Sequence, residues 1–285
     1  MTADTGLTPL PVMDPARARR RGVPPLILLS FLVIAVVLVC AVLGEHITPS
    51  APGLQRLEVG DTPPSAEYWA GTDQVGRDVL ARVIVGARTA LIGPVLIAAG
   101  AFAIATLLGL FAGYLGGKVD AAVMRWADVM IALPGPLVAI VVVGVVGGGY
   151  WTAVAVLIVL FLAPDTRIVR SAVLEQRPRP YIDAARTLGL SASRIIFRHI
   201  FPNVFPIVFA YVVLDFSFAL VSLAGLSFLG LGVEPGTADW GRMLYENRNI
   251  LFSNPMAVLL PAAMIILTAG SINLVGDWLY ERYSR

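Results

Sequence analysis

Few residues of this 285-residue chain are of types that carry out chemistry, and most of them stand alone. The chain has two histidines, His46 and His199, and one cysteine, Cys40. Histidines this far apart and a single thiol do not suggest a metal site, and two histidines offer no plausible catalytic triad. Cys40 lies in an apolar run, which favours a buried structural thiol. We therefore expect no catalytic residue, no metal site and no enzyme activity of the chain itself.

One short pattern superficially resembles a phosphate-binding loop. Gly117-Lys118 would be its end, but Ala112 stands where the first glycine is required and Val119 replaces the final Ser or Thr. The backbone cradle for a nucleotide is therefore incomplete. We expect the chain to bind neither ATP nor Mg²⁺.

The composition places these residues in a membrane protein. Hydrophobic residues make up 57% of the chain and charged residues 14%, with a mean hydropathy of +0.79, whereas soluble domains carry about 25% charged residues. So few charges cannot cover the surface of a soluble protein of this length. The composition thus excludes a soluble enzyme, a disordered chain and a nucleic-acid binder.

Long apolar runs predict an all-α polytopic membrane protein with six transmembrane helices. A bilayer core needs about 20 apolar helical residues to cross it. The runs cover residues 26–43, 90–115, 129–151, 150–163, 204–231 and 256–274. The third and fourth are joined by little more than three glycines at 147–149, so we expect a tight helical hairpin there.

Asp215 is the only acid firmly inside one of these runs. Acidic residues within a membrane are costly and are functional candidates by default. Asp215 could line a translocation path and meet a cationic group, or it could be a satisfied acid hydrogen-bonded inside the bundle. Both interpretations remain open.

The distribution of Lys and Arg predicts the orientation. With a cytoplasmic N-terminus, fifteen of the 21 basic residues fall on the inside and six on the outside. We therefore expect cytoplasmic tails at 1–25 and 281–285, and a permease core at 90–280 with an outer loop at 232–255. A cleaved signal peptide is the alternative for the first run, but 18 apolar residues are long for one.

The largest outer segment is predicted at 44–89. Its first part is rich in proline and cannot be regular helix. Apolar residues then recur at helical spacing from Val79 to Ala87, which predicts an amphipathic helix lying on the membrane. An ordinary helix packed on the outer face of the bundle is equally open.

The inside loop at 166–203 is long, basic and patterned. A short helix is expected at 181–188 with Gly189 as its C-cap, and a second at 192–200 with Ser191 as its N-cap. Pro202 and Pro206 then mark the start of the next crossing. A connection needs only a few residues, so a loop of this length with ordered turns implies a docking surface.

Spacing within this loop resembles the EAA loop of bacterial ABC importer permeases. The matching residues are Asp183-Ala184-Ala185, then Gly189, then 199–203 with the sequence HIFPN. Asp183 replaces the usual glutamate of the family.

Other segments resemble the C-type permease of dipeptide, oligopeptide and nickel importers. They are GTDxxGRD at 71–78, GAR at 86–88, RIVR at 167–170, SFLGLG at 227–232 and WG at 240–241, together with positions between 113 and 134. Where family members often carry an acid before the SFLG run, this chain has Leu223. The resemblance extends from about residue 71 to the C-terminus.

The resemblance implies a type I importer permease fold and a coupling loop at 181–202 that docks on an ATPase subunit. The coupling residues implied are Tyr181, Asp183, Ala184, Ala185, Gly189, Leu190, Ser191, His199 and Pro202. In this interpretation Ala184 and Ala185 are small enough to let the ATPase subunit approach closely, and Gly189 permits the sharp turn between the two short helices.

The implied partners are a homologous second permease, two ATPase subunits or domains holding ATP and Mg²⁺, and an extracytoplasmic binding protein. The chain would lie in the bacterial cytoplasmic membrane, in contact with lipid and not with nucleic acid. Short peptides are the first expected cargo, and nickel or another small solute is the alternative. A self-contained secondary carrier is the rival of a different class, since it would need no ATPase dock.

Overall fold

The computed structural model describes residues 23–283, and within them the chain is helical apart from its loops and one isolated bridge. The basic cluster at 17–21 and residues 284–285 lie outside the described residues. The helices are α1 Pro25–Ile47, α2 Val79–Leu115, α3 Gly117–Ala132, α4 Gly135–Val146, α5 Tyr150–Gln176, α6 Pro180–Thr187, α7 Ala192–Ile195, a π-helix Ile196–Ile200, α8 Phe201–Phe228, α9 Trp240–Asn247, a 3₁₀-helix Arg248–Ile250 and α10 Met256–Tyr283.

Five helical segments of the described chain are long and apolar enough to cross a membrane, and the count becomes six if α3 and α4 form one span. These two helices meet at an angle of 85°. The third crossing predicted at 129–151 is therefore not one straight helix. Pro134 explains the break, because it disfavours helical backbone at Leu133, which is extended (φ −86°, ψ 136°).

The predicted hairpin between the third and fourth crossings is confirmed as a three-glycine turn. Gly147, Gly148 and Gly149 all have positive φ, and the Gly148 N–H donates to the Val143 carbonyl at 2.8 Å. Residues with a Cβ rarely adopt this conformation.

Helix α5 runs further than its apolar pattern. The fourth crossing was predicted to end near residue 163 and the loop to begin at 166, but α5 continues to Gln176 through Pro164. Charged residues end the hydrophobic signal here without ending the helix, because Val169 and Val173 remain buried against α2. Arg170 and Arg167 pair with Asp120 and Asp128 of α3, respectively. The predicted 166–203 loop is correspondingly shorter.

Of the two open interpretations of the segment from Val79 to Ala87, the helix packed on the bundle agrees with the structure. The segment forms the first turns of α2, with Arg82 buried. Pro202 lies in the first turn of α8, as predicted, although α7, the π-helix and α8 form one continuous helical segment with Pro206 inside it.

The core is built around α2, which packs against α5, α8, α1 and α9. Gly109 and Gly113 allow the α2–α5 contact. A Cβ on Gly109 would lie 2.6 Å from the Cβ of Val169, and a Cβ on Gly113 would lie 2.8 Å from the Cβ of Val173. The small-residue spacing thus marks a true close approach at this pair. Gly117 and Gly144 make no comparable contact.

Connections gather at the two ends of the bundle. We call residues 48–78 and 229–255, which pack on one another, the loop layer, and residues 177–200, which join α5 to α8, the elbow.

Candidate functional site

The elbow turns sharply at Gly189. The Leu190 N–H donates to the Ala185 carbonyl at 3.2 Å and the Gly189 N–H to the Arg186 carbonyl at 2.9 Å, which is the Schellman arrangement at a helix C-terminus. Gly189 has φ +74° and no atom within 4 Å of a would-be Cβ. The C-cap prediction at Gly189 is confirmed, and the glycine is there for its backbone angle and not for lack of space.

One side of the elbow is packed into the bundle. Ile182, Ile195, Ile196 and Ile200 are fully or almost fully buried, in a cluster with α2, α5 and α8. Ala185 is only 4% exposed and belongs to this cluster, while Leu190 packs against it. The interpretation of Ala185 as a contact residue for a partner is therefore wrong, because its methyl group fills the chain's own core.

The other side of the elbow is exposed. Tyr181, Asp183, Ala184, Gly189 and Ser191 all lie on it. Asp183 pairs with Arg186 at 3.1 Å, within the same helix. Of the two small alanines, only Ala184 is available to a partner.

Leu188 is an exposed residue of the elbow that sequence reasoning missed. Its side chain is 79% exposed at the tip, next to Gly189. The signal that could have found it is an apolar residue at the C-terminus of a short polar helix, just before a glycine turn. Exposed apolar side chains rimmed by polar ones are typical of docking surfaces.

His199 and Pro202 lie where the elbow continues into α8. In the π-helix the Phe201 N–H donates to the Ile196 carbonyl. Asn203 Nδ2 donates to the His199 carbonyl at 2.6 Å. Pro202, which is exposed, has no N–H to donate, and such irregular turns often accompany a proline. Ser191 occupies the N-cap position of α7, but its side chain makes no capping hydrogen bond.

Charged contacts join α5 and the elbow to the α2–α3 corner. Arg170 of α5 donates to both carboxylate oxygens of Asp120, with Nη2 at 2.6 Å from Oδ2. The Arg186 guanidinium lies 5.4 Å from the ring centre of Tyr114, at the end of α2. Arg186 thus links the elbow to the end of α2, and Arg170 links α5 to α3 beside it.

At the opposite end, the GTDxxGRD motif forms a tight turn of the loop layer. Asp73 Oδ1 accepts from the Val75 and Arg77 N–H groups, and the Asp78 side chain caps α2 by accepting from the Ala81 N–H at 3.2 Å. A Cβ on Gly71 would lie 2.2 Å from the Thr62 carbonyl oxygen. The motif is thus a structural element that begins α2.

A buried charge cluster then joins this turn to α9. Arg77 Nη2 and Arg82 Nη2 donate to Oε2 of Glu246 at 2.8 and 3.1 Å, and Arg77 Nε donates to Asp73 Oδ2 at 2.6 Å. The Arg82 side chain is 1% exposed. Arg242 Nε also donates to Glu246, at 3.0 Å.

Because of this cluster, we expect the free energy of unfolding to depend on pH. Burial acts to raise the pKa of Glu246, but the Gly236 N–H and the surrounding guanidinium groups outweigh it and hold the pKa of Glu246 below its usual value. A carboxyl with a lowered pKa stabilises the folded state above its unfolded pKa, and that contribution is lost as the pH falls through the folded pKa.

We therefore expect the free energy of unfolding of the purified chain to fall more steeply with acid in wild type than in Glu246→Gln. The measurement is thermal unfolding in detergent from neutral pH to below about 4, the ordinary glutamate range. Glu58→Gln, at an exposed position of the loop layer, should keep the wild-type slope. Parallel profiles for wild type and Glu246→Gln would contradict the assignment.

Asp215 lies at an open cleft in the middle of the bundle, not at the elbow. The cleft has a volume of about 840 Å³ between α4, α5 and α8, and its walls are largely apolar. Asp165 of α5 lines the same cleft and is 8% exposed. Sequence reasoning assigned Asp165 to no crossing, because the predicted fourth crossing ended at 163. Asp215 is thus not the only acid inside the helical bundle.

Comparison with known proteins decides the family. The model of a family described as binding-protein-dependent transport system inner membrane component matches residues 105–285. The chain belongs to this family. It is a multi-pass membrane protein, and we refer to it below as the permease.

Three curated relatives are each named as a permease protein of a transport system. The permease is 37% identical over 218 residues to the dipeptide transport system permease protein DppC of Alkalihalophilus pseudofirmus, covering 76% of this chain and 72% of that protein. It is 34% identical over 258 residues to the di/tripeptide transport system permease protein DppC of Pseudomonas aeruginosa, covering 88% and 85%. The glutathione transport system permease protein GsiD of Pectobacterium atrosepticum is 35% identical over 218 residues, covering 76% and 72%.

Proposed function

We propose that the permease forms one half of the translocation path of an ATP-driven ABC importer for short peptides in the bacterial cytoplasmic membrane. The elbow carries this proposal: it is a surface with a packed base and an exposed tip, at the spacing of the EAA loop. The relatives named for dipeptides, di/tripeptides and glutathione support peptides as the cargo class.

In this proposal the permease does not hydrolyse ATP. Two ATPase subunits or domains hold ATP and Mg²⁺ and receive the elbow, with Tyr181, Asp183, Ala184 and Leu188 at the contact. ATP-driven closure of these partners moves the elbow and rocks two permeases between inward-open and outward-open states. An extracytoplasmic binding protein delivers the peptide.

A second, homologous permease completes the path. The cleft is open on one side, where Phe218 and Val221 of α8 are 63% and 53% exposed. Apolar side chains at the rim of an open cleft are suited to burial against a similar helical surface. The excess of basic residues near the elbow supports a cytoplasmic elbow and cytoplasmic termini.

The proposal is tested by purifying the tagged chain from its native membrane and reconstituting it with the proteins encoded beside it. We expect an ATPase and a second permease to co-purify. With the binding protein present, a dipeptide should stimulate ATP hydrolysis and nickel should not. A chain that transports alone in proteoliposomes would favour the secondary carrier, and stimulation by nickel alone would favour the metal importer.

Leu188→Ala should weaken the ATPase contact without affecting folding. The side chain is 79% exposed, so its removal should change the free energy of unfolding by less than about 0.5 kcal/mol. An apolar anchor that becomes buried in an interface is worth more than about 1 kcal/mol, so we expect about tenfold weaker ATPase binding. Leu57→Ala, at a position 73% exposed in the loop layer, is the matched control and should bind normally. Equal binding by both variants would remove Leu188 from the interface.

A further inference from the structure

Two acidic side chains converge inside the bundle. Asp165 of α5 and Asp215 of α8 line the same two cavities, the cleft of about 840 Å³ and a small pocket of about 10 Å³. Both acids therefore lie at one site, where the small pocket and the cleft share part of their lining. Because they come from different helices 50 positions apart in sequence, only the folded bundle brings them together.

The site has unused hydrogen-bonding capacity. Oδ2 of Asp165 and Oγ1 of Thr106 are buried and have no hydrogen-bond partner among the described residues. Asp165 and Thr106 are 8% and 5% exposed, and both line the small pocket with Tyr211 and Asp215. Native proteins rarely leave buried polar atoms unpaired, so these two oxygens are available to hydrogen-bond a bound group.

The charge of the pair is not balanced by the described part of the chain. None of the lysines and arginines among residues 23–283 lines either cavity. Two carboxylates in apolar surroundings repel each other and are costly without a cation or a shared proton. The small pocket has room for about one water molecule, so a larger cation must come from the cleft.

The shape of the cleft suits a small organic cation. Its volume lies within the roughly 300–1,000 Å³ typical of small-molecule sites. Apolar residues including Phe161, Leu157 and Phe218 line it around the acidic pair. The cleft therefore places two carboxyl groups among apolar side chains. This arrangement suits a ligand with an ammonium group and an otherwise apolar structure.

We propose that Asp165 and Asp215 together bind the ammonium group of the cargo as it passes through the cleft, with Thr106 as a further oxygen ligand. This inference rests on the proposed peptide import. It adds Asp165 to the path and defines the chemical class recognised there as a primary ammonium. The ammonium donates to carboxylate oxygens, and the remainder of the cargo contacts the apolar wall.

The site can be tested on the purified chain in detergent, without transport. Dicyclohexylcarbodiimide modifies carboxyl groups in apolar surroundings, and mass spectrometry locates the product. We expect modification at Asp165 or Asp215, and we expect dialanine and propylammonium to protect both residues. N-acetyl-dialanine should not protect them. Protection by Na⁺ at the same concentration as propylammonium would overturn the assignment to an ammonium group, and absence of protection by any cation would overturn the site.

Transport by the reconstituted complex separates this inference from the proposed function. Asp165→Asn and Asp215→Asn should each reduce dialanine uptake about tenfold, since a hydrogen bond to a charged group is worth about 1.5–3 kcal/mol. ATP hydrolysis stimulated by the binding protein should persist. Asp277→Asn, at an exposed position of α10, is the matched control and should transport normally.

The outcomes are distinct. Wild-type rates in both aspartate variants would overturn the site while leaving peptide import intact. Loss of assembly and of ATP hydrolysis in both variants would show a structural role and also overturn it. If wild-type complex hydrolyses ATP but imports no peptide, the proposed cargo is wrong, and the carbodiimide experiment still decides the ammonium site.

Discussion

We expect ATP-driven uptake by the Gly189→Arg variant to be at least about thirtyfold slower than by wild type, although the chain still folds. A non-glycine residue at φ +74° costs about 1–2 kcal/mol locally, which a folded bundle tolerates. The arginine side chain would project from the exposed tip beside Leu188 and block close approach of an ATPase. Loss of a central contact costs 2 kcal/mol or more, hence about thirtyfold.

Gly60→Arg is the matched control for that variant. Gly60 also has positive φ (+59°) and no atom within 4 Å of a would-be Cβ, but it lies in the loop layer. Both variants carry the same backbone strain and added charge, so only the position differs. Uptake, ATPase co-purification and thermal unfolding are measured for both. Normal uptake by Gly189→Arg, or equal loss in the two variants, would contradict the docking role of the elbow.

The second large effect is expected at Arg82, in the buried charge cluster. Arg82→Met should lower the free energy of unfolding by about 3 kcal/mol, because removing one member of a buried charge network leaves its partners poorly compensated. Glu246 would lose one guanidinium, and the carbonyl oxygens of Gly236 and Thr237 would lose their donors. Thermal unfolding of the purified chain measures the change.

Arg88→Met provides a control on the same helix. Arg88 pairs with Glu45 at 3.4 Å, but the two side chains are 62% and 68% exposed. Exposed pairs contribute between 0 and about 1 kcal/mol, so this variant should unfold close to wild type. If Arg82→Met and Arg88→Met were equally stable, the cluster would not hold α9 on α2.

Local features of the elbow could be predicted from the sequence because local rules determine them. A short polar helix followed by Gly189 predicts a helix end, since only glycine adopts the required angle without strain. The predicted 181–188 helix and the observed Pro180–Thr187 differ by one residue at each end. The same reasoning could not separate Ala184 from Ala185, because their exposure depends on packing against α2 and α5.

The length of α5 was missed for a different reason. Apolarity identifies the part of a helix suited to lipid, not the part that is helical. Pro164-Asp165 ended that signal, yet the helix continues because Val169 and Val173 pack against α2 while Arg167 and Arg170 pair with acids of α3. The error also left Asp165 outside every predicted crossing, so its meeting with Asp215 could not be predicted.

The long-range ion pairs of the loop layer could not be predicted from the sequence either. Arg82 and Glu246 are 164 positions apart, and without the fold they are two charges in different outer segments. The GTDxxGRD motif identified the family but not its own role. That role depends on carbonyl groups and side chains supplied by distant parts of the chain.

The unbroken course of α5 has a mechanical consequence. Its 27 residues span about 40 Å at 1.5 Å per residue, from the three-glycine turn to the elbow. A tilt of about 5° around one end of such a rod displaces the other end by roughly 3.5 Å. Asp165 lies between the two ends, so a push at the elbow would shift its carboxyl relative to Asp215. If the two acids bind the cargo as proposed, such a tilt would change the distance between their carboxyl groups without any local unfolding.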